Sequence, residues 1–174
     1  NPGAVGINFF GNNTAGIRDV TIRSGDPGGL GRTGLTISRP NASGCVFKRV
    51  TIEGFDYGIV LREEGSDLVF EEVELRGQRV KPILVNGPVV CMRRIRSQNP
   101  MPALTVGGHN THLVLLDSEL AGGESGAPAV QYLQGQVFFR NIQTEGYGLA
   151  VGGTYNRGWP TIAYVEGPMI EEYV

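Results

Sequence analysis

Hydrophobic positions recur along the chain with a period of about 23 residues, as expected for stacked structural repeats, and show no helical period. Six segments superpose on an anchor residue, with further apolar positions three residues before it and two after it: IRDVTIRS, FKRVTIEG, FEEVELRG, MRRIRSQN, LLDSELAG and FRNIQTEG. The anchors are Val20, Val50, Val73, Ile95, Ser118 and Ile142, which are almost evenly spaced after a longer first interval. A repeat of this length predicts a solenoid, in which each unit packs only on its neighbours.

Each repeat can hold three short strands. A second apolar triplet follows each anchor, at residues 35–37, 59–61, 83–85, 104–106, 130–132 and 149–151, and a third apolar stretch precedes it. The apolar positions around the anchor break strict alternation, so a bend is expected one or two residues before it. The pattern predicts an all-β parallel β-helix of about six to seven coils over residues 1–151. Residues 152–174 are interpreted as an irregular excursion and a possible last coil or cap.

One column at the end of each segment favours a special backbone conformation. It contains Ser24, Gly54, Gly77, Asn99, Gly122 and Gly146. Glycine and asparagine are the residues that most readily adopt positive φ, which is common in tight turns. We therefore expect left-handed backbone where the chain leaves each strand.

Composition excludes several functional classes. The 174 residues contain 15 Lys+Arg and 17 Asp+Glu, so the formal net charge is −2, and 18% of residues are charged. This balance gives no electrostatic case for binding nucleic acid or an anionic membrane, and no apolar run approaches the ~18 residues of a membrane span. The two cysteines, Cys45 and Cys91, form no metal-binding motif, and their separation by one coil predicts that they are not bonded.

The coil sequences resemble a known family. GIRDVTIRSGD (16–26), VTIEGFDYGIVL (50–61) and FEEVELRGQ (70–78) are similar to coils of the pectate-lyase-like superfamily, particularly to proteins described as pectate-lyase-superfamily or glycosyl-hydrolase-28-related. The resemblance implies a right-handed, single-stranded β-helix. It also implies hydrolysis, lytic cleavage or epimerisation of polysaccharides, and a secreted or cell-surface location. Such proteins usually start with a segment similar to GAKGDGVTDDT and an N-terminal cap. Neither is present, so the chain is interpreted as a fragment.

No catalytic residue of that family can be transferred to this chain. The polygalacturonase branch uses Asn-Thr-Asp, Asp-Asp, Gly-His-Gly and Arg-x-Lys motifs on successive coils, and the lyase branch uses several calcium-binding aspartates and a catalytic arginine. These motifs are missing, and the nearest approach, Gly107-Gly108-His109-Asn110, has the wrong neighbours. Chemistry therefore has to be inferred from the outward-facing columns themselves.

Glu74 and Glu119 are the candidate catalytic pair. They occupy one outward column two coils apart, which places their backbones ~9.6 Å apart. An inverting glycosidase needs two carboxyl groups ~6.5–9.5 Å apart. Arg96 lies between them, however, and favours their ionised forms, which does not suit a general acid. The alternative is a structural ladder, in which acidic and basic coils alternate and fix the register.

Four residues are candidates for substrate binding, and no metal or cofactor is expected. Arg76 and Arg96 project from the charged columns, whereas Tyr155 and Trp159 belong to the C-terminal excursion, where flat aromatic faces could stack on sugars. The acidic turn around Glu63 and the histidine turn around His109 are interpreted as solvated turns.

The sequence is compatible with three functions. The chain is interpreted first as the β-helix segment of a carbohydrate-active protein, whose parent hydrolyses or cleaves polysaccharide. A non-catalytic polysaccharide-binding or adhesion module and a structural spacer are the alternatives. The first coil, with Phe9 and Phe10, has no evident cap. It is therefore expected to stack on missing sequence, another copy or a partner chain.

Overall fold

The computed structural model describes residues 1–38 and 42–153, and the backbone of residues 162–165. Fourteen strands occupy this part of the chain. They are β1 (Val5–Asn8), β2 (Gly16–Arg23), β3 (Thr33–Ile37), β4 (Cys45–Glu53), β5 (Tyr57–Leu61), β6 (Asp67–Arg76), β7 (Lys81–Asn86), β8 (Val89–Gln98), β9 (Leu104–Gly107), β10 (His112–Ala121), β11 (Pro128–Tyr132), β12 (Gln136–Thr144), β13 (Leu149–Gly152) and β14 (Ile162–Val165).

The strands form two parallel sheets of seven strands each. The odd-numbered strands β1 to β13 make one sheet in chain order, and the even-numbered strands β2 to β14 make the other. Each ladder joins equivalent residues of successive repeats, as in the pairing of Val50 with Val73 and of Val73 with Ile95. The chain is therefore a parallel β-solenoid with a repeat of about 23 residues, which confirms the predicted fold class.

Each turn contains two strands, and the prediction of three separate strands was wrong. The stretch before each anchor continues into the anchor strand, so β4, β6, β8, β10 and β12 are nine or ten residues long. The expected bend lies inside these strands, one residue before the anchor. There φ is positive at every coil: 57° at Asp19, 52° at Arg49, 57° at Glu72, 55° at Arg94, 49° at Asp117 and 54° at Asn141. The ladder resumes on both sides, so the bend does not end the strand.

The core consists of the inward columns of both sheets. Val50, Val73 and Ile95 are at most 1% exposed, as are Leu61 and Val85 of the short-strand sheet. Phenylalanines stack along the same core, with the rings of Phe47 and Phe70 parallel and 4.6 Å apart. Towards the last coils Ile142 and Val151 are only partly buried but still pack against this cluster. The anchors and the apolar triplets of the repeat therefore supply the core, as the sequence pattern indicates.

The strand-end column follows the prediction at its glycines but not at Asn99. Gly54, Gly77, Gly122 and Gly146 have φ between 70° and 85°. Asn99 is not among the residues with positive φ. It turns inward and is 1% exposed, and its side chain bonds to neighbouring coils. At this position the side chain forms hydrogen bonds with buried backbone groups of other coils, which would otherwise have no partner.

The two cysteines are free and lie on different faces of the long-strand sheet. Cys45 is fully buried and pairs with Leu68, whereas Cys91 is half-buried and pairs with Val69. Strand β6 separates them, as expected from the coil count. Burial raises the pKa of the Cys91 thiol. In the described part of the chain, no helix is long and apolar enough to cross a membrane.

Candidate functional site

A groove runs along the bends of the long strands. It encloses about 550 Å³ and is lined by residues from four successive coils: Arg49, Thr51, Glu72, Glu74, Arg94, Arg96, Asp117 and Glu119. We call it the charged groove. It crosses β4, β6, β8 and β10, so it runs from strand to strand along the stack.

The bend explains why two columns of side chains line one groove. The residue before each anchor adopts a left-handed conformation, as Glu72 does with φ of 57°, and its side chain faces out of the core. The anchor itself, here Val73, is buried. The residue after the anchor, Glu74, faces outward again. One buried residue thus separates two groove-lining residues at every coil, and parallel pairing repeats the arrangement.

Opposite charges meet in the column after the anchor. Glu74 pairs in register with Arg96, and Arg96 pairs with Glu119. The Arg96 Nε atom lies 3.4 Å from Glu119 Oε2, and its Nη1 atom lies 3.9 Å from Glu74 Oε1. Arg76 Nη2 donates to the other oxygen of Glu74 at 2.9 Å, and Arg76 Nε also lies 3.4 Å from Glu53 Oε1. The candidate residues of β6, β8 and β10 therefore belong to one connected network.

The column before the anchor alternates in charge as well. Arg49 Nη2 donates to Asp19 at 2.8 Å, and Arg94 Nη1 donates to Glu72 at 3.0 Å. The hydrogen bond from Arg49 lowers the pKa of the Asp19 carboxyl. Partial burial tends to raise the pKa of Asp117, but hydrogen bonds from Asn141 and Arg93 outweigh it, so this pKa is lowered too. These acids are held in their ionised forms.

The structure brings together four of the six candidate site residues. Glu74, Glu119 and Arg96 line the charged groove, and Arg76 adjoins it at the end of β6. Tyr155 and Trp159 lie outside the described residues. The sequence pattern predicted only a structural ladder for charged positions near the bend, yet four left-handed residues supply half of the groove lining: Arg49, Glu72, Arg94 and Asp117. The signal that could have found them is the charged residue at the bend of five successive coils.

The charged groove offers many hydrogen-bonding groups. Glu74 and Glu119 are 41% and 57% exposed in their side chains, and each has an arginine partner. In the part of the chain that is described, no three His, Cys, Asp or Glu side chains converge as metal ligands would. The network presents guanidinium donors and carboxylate acceptors in alternation.

Comparisons with protein-family models, with curated proteins and with solved structures found no match to this chain.

Proposed function

We propose that the chain is a non-catalytic β-helix segment that binds an extended polysaccharide along the charged groove. The observation that carries the proposal is the continuous column of donors and acceptors on four coils, in which every lining charge is paired. A saccharide hydroxyl both donates and accepts a hydrogen bond, so it can insert between an arginine and a glutamate. The repeat of ~4.8 Å along the groove is comparable with the length of a sugar residue.

The paired charges favour binding over catalysis. Glycoside hydrolysis requires two carboxyl groups with different protonation states. In the groove Arg96 contacts both Glu74 and Glu119, so each carboxylate has a cationic partner. Catalysis by this pair stays a prediction of the sequence, and chemistry in a longer parent protein is compatible with a binding role for this segment.

A purely structural role is the second candidate, and the ion pairs favour it. Arg23 pairs with Glu53, and Lys48 contacts Glu71 at 2.7 Å, both outside the groove lining. Such pairs fix the stacking register whether or not a ligand binds. The volume of the groove and the exposed Arg96 head group favour a ligand, because a spacer needs neither.

The family resemblance adds support at a finer level. Parallel strands joined by crossover connections are right-handed in about 98% of cases, so we infer a right-handed solenoid. Right-handed β-helices of the pectate-lyase-like superfamily act on polysaccharides along the outer faces of their coils. A carbohydrate ligand, and with it a secreted or cell-surface location, agrees with this resemblance.

A glycan panel with two readouts tests the proposal. The chain is titrated with neutral and acidic polysaccharides, and binding is measured by calorimetry while reducing ends and unsaturated products are followed in the same samples. We expect binding to at least one polysaccharide without product formation. Arg96→Gln should weaken that binding several-fold, because it removes the group between the two glutamates. Arg62→Gln is the matched control, since Arg62 is exposed and outside the groove.

The outcomes separate the three functions. Product formation that Glu74→Gln and Glu119→Gln each abolish would establish the enzyme and overturn the proposal. No binding to any member of the panel would favour the structural spacer. Equal loss of binding in the Arg96 and Arg62 variants would show that the ligand lies elsewhere.

A further inference from the structure

The charges of the groove are arranged in bands, because three successive coils each contribute residues of one sign to both of its columns. Strand β6 contributes two glutamates, β8 two arginines, and β10 an aspartate and a glutamate. The pairs are Glu72 with Glu74, Arg94 with Arg96, and Asp117 with Glu119. We call the pairs on β6 and β10 the acidic bands and the pair on β8 the basic band. On β4 the groove is lined by Arg49 and by the uncharged Thr51.

Stacking in register does not require this arrangement. Ion pairs form along each column: Arg94 Nη1 lies 3.0 Å from Glu72 Oε1, and Arg96 Nε lies 3.4 Å from Glu119 Oε2. Two columns in opposite phase would allow the same pairing along the stack and would also place opposite charges beside each other on each coil. The observed phase instead places like charges two residues apart on one strand, where they repel. A ligand therefore explains the phase of the two columns better than the stability of the stack does.

The spacing of the bands matches a chain of sugars. Neighbouring bands are one strand spacing apart, ~4.8 Å, so the two acidic bands are ~9.6 Å apart with the basic band between them. An extended peptide lying along the groove would present the side chains of one face every ~6.8 Å, two strand rises of ~3.4 Å, and would lose register with the bands. The sugar residues of an extended polysaccharide repeat at a length comparable with the band spacing. Successive sugars would therefore meet opposite charges.

The head groups of the bands are accessible to a ligand. In the basic band the side chains of Arg94 and Arg96 are 51% and 65% exposed, and Glu74 and Glu119 of the acidic bands are exposed to a similar extent. A polymer with only carboxylates would meet both acidic bands, and a polymer with only amines would meet the basic band. Like charges brought together in this way disfavour binding. A ligand with both groups, on alternate sugars, can place a counter-charge on all three bands.

We propose that the charged groove binds a zwitterionic polysaccharide, in which sugars with a free amine alternate with sugars that carry a carboxylate; this ligand class rests on the proposed function of polysaccharide binding. The amino sugars lie over the acidic bands, where their ammonium groups donate to carboxylate oxygens. The acidic sugar between them lies over Arg94 and Arg96, whose guanidinium groups donate to its carboxylate. Because both columns carry one sign at each of these coils, a sugar substituent finds its counter-charge in whichever column it faces.

Four forms of one polymer test the ligand class. The parent is an alternating chain of glucuronate and glucosamine with free amines. N-acetylation leaves only the carboxylates charged, reduction of the carboxyl groups leaves only the amines charged, and both treatments together give a neutral chain. Calorimetry measures the binding of each form at pH 5.5, where the amines of the polymer are protonated and its carboxylates are ionised. We expect the zwitterion to bind several-fold more tightly than each of the other three forms.

Two double variants test the role of the basic band. Arg94→Gln with Arg96→Gln removes the band and should abolish the preference for the zwitterion over the amine-only form, because no cation then meets the carboxylate. Arg94→Glu with Arg96→Glu makes the band acidic and should make the amine-only form the tightest ligand. Circular dichroism checks that each variant is folded, and the glutamine variant alone decides if the glutamate variant does not fold. Arg62→Gln, exposed and outside the groove, is the control and should keep the preference for the zwitterion.

The outcomes separate this ligand class from the proposed function. Equal or tighter binding of the neutral, amine-only or carboxylate-only form would overturn the zwitterion and leave polysaccharide binding standing. A preference for the zwitterion that survives Arg94→Gln with Arg96→Gln would also overturn it, because the carboxylate would then not lie over the basic band. Absence of binding to all four forms would overturn the ligand class, and the glycan panel would then decide whether the groove binds any polysaccharide.

Discussion

Asn99 and Ser118 show how single polar residues hold coils together from inside. Asn99 Oδ1 accepts a hydrogen bond from the backbone N–H of Gln78 at 2.9 Å. Asn99 Nδ2 donates to the backbone carbonyl of Leu75 at 3.2 Å and to Ser97 Oγ at 3.0 Å. Ser118 replaces the usual valine or isoleucine anchor and accepts from the Ile95 amide at 3.0 Å. The sequence did not predict either contact. An asparagine or a serine in a sequence does not indicate which buried backbone group its side chain will bond.

Replacing Asn99 should be among the most damaging polar substitutions in the chain. Asn99→Ala leaves the Gln78 amide and the Leu75 carbonyl without their partner in the core, at a cost of about 1–3 kcal/mol for each buried group. We expect the free energy of unfolding in urea to fall by about 2–4 kcal/mol. Gln98→Ala, one position earlier and exposed, is the control. Equal effects of the two substitutions would show that the buried network contributes little.

At the scale of the element, the left-handed residue inside each long strand shapes the sheet. The bend was predicted from the break in alternation before the anchors, and the structure places it at Glu72 and its equivalents. Its consequence was not predicted from the sequence. A pattern of apolar residues identifies which side chains face inward, but it does not show that a left-handed residue lets two outward columns line one groove.

A pair of valine substitutions tests the bend. Glu72→Val and Glu74→Val each remove a glutamate that pairs with an arginine. Only position 72 has positive φ, and left-handed backbone costs a residue with a Cβ atom about 1–2 kcal/mol, and more when it is β-branched. Glutamate already bears the first cost at position 72, so the added β-branching should make Glu72→Val lower the free energy of unfolding more than Glu74→Val does, by up to about 1 kcal/mol. Indistinguishable stabilities in urea titrations would contradict the bend.

The ion pairs between neighbouring coils should make the folded chain less stable at acid pH. The hydrogen bond from Lys48 lowers the pKa of Glu71 in the folded chain, so Glu71 contributes stability above its unfolded pKa of about 4.3. That contribution is lost as pH falls through the lowered folded pKa. We expect Glu71→Gln to reduce Tm at pH 7 and to leave it nearly unchanged at pH 2.

The control for this pH effect is Glu64→Gln. Glu64 is exposed and has no ion pair with the described residues. Its replacement should leave the pH dependence of Tm intact. A Tm difference between wild type and Glu71→Gln that is as large at pH 2 as at pH 7 would refute the electrostatic origin.

At the scale of the whole molecule, the repeat in the sequence was enough to predict the solenoid. One register of the repeat accounts for three features of the sequence. These are the nearly even spacing of the anchors, the apolar triplets and the glycines at strand ends, such as Gly54 and Gly77. The candidate site was only partly predicted. Glu74, Arg96 and Glu119 were placed in one column correctly, because parallel stacking repeats a position at every coil. The residues of the left-handed column were not assigned to the site. The sequence pattern shows where the bend lies but not that the bend opens a groove between the two outward columns.

Residues far apart in sequence form one column along the stack, with one strand spacing per coil. Thr21 and Gln143 belong to the same outward column and are joined by five ladder steps, through Thr51, Glu74, Arg96 and Glu119. Five spacings of ~4.8 Å place their backbones about 24 Å apart, and four place Thr51 and Gln143 about 19 Å apart. Spin labels on cysteines at these positions report the distances.

Pulsed electron paramagnetic resonance on two double-cysteine variants is the most direct test. The background carries Cys45→Val and Cys91→Val, which match the apolar residues of their columns. Thr21→Cys with Gln143→Cys should give one narrow distance distribution. Thr51→Cys with Gln143→Cys should give a distribution shorter by about 5 Å, one strand spacing. Broad distributions, or two distances that do not differ by one spacing, would contradict the stacked column on which the groove and its proposed ligand depend.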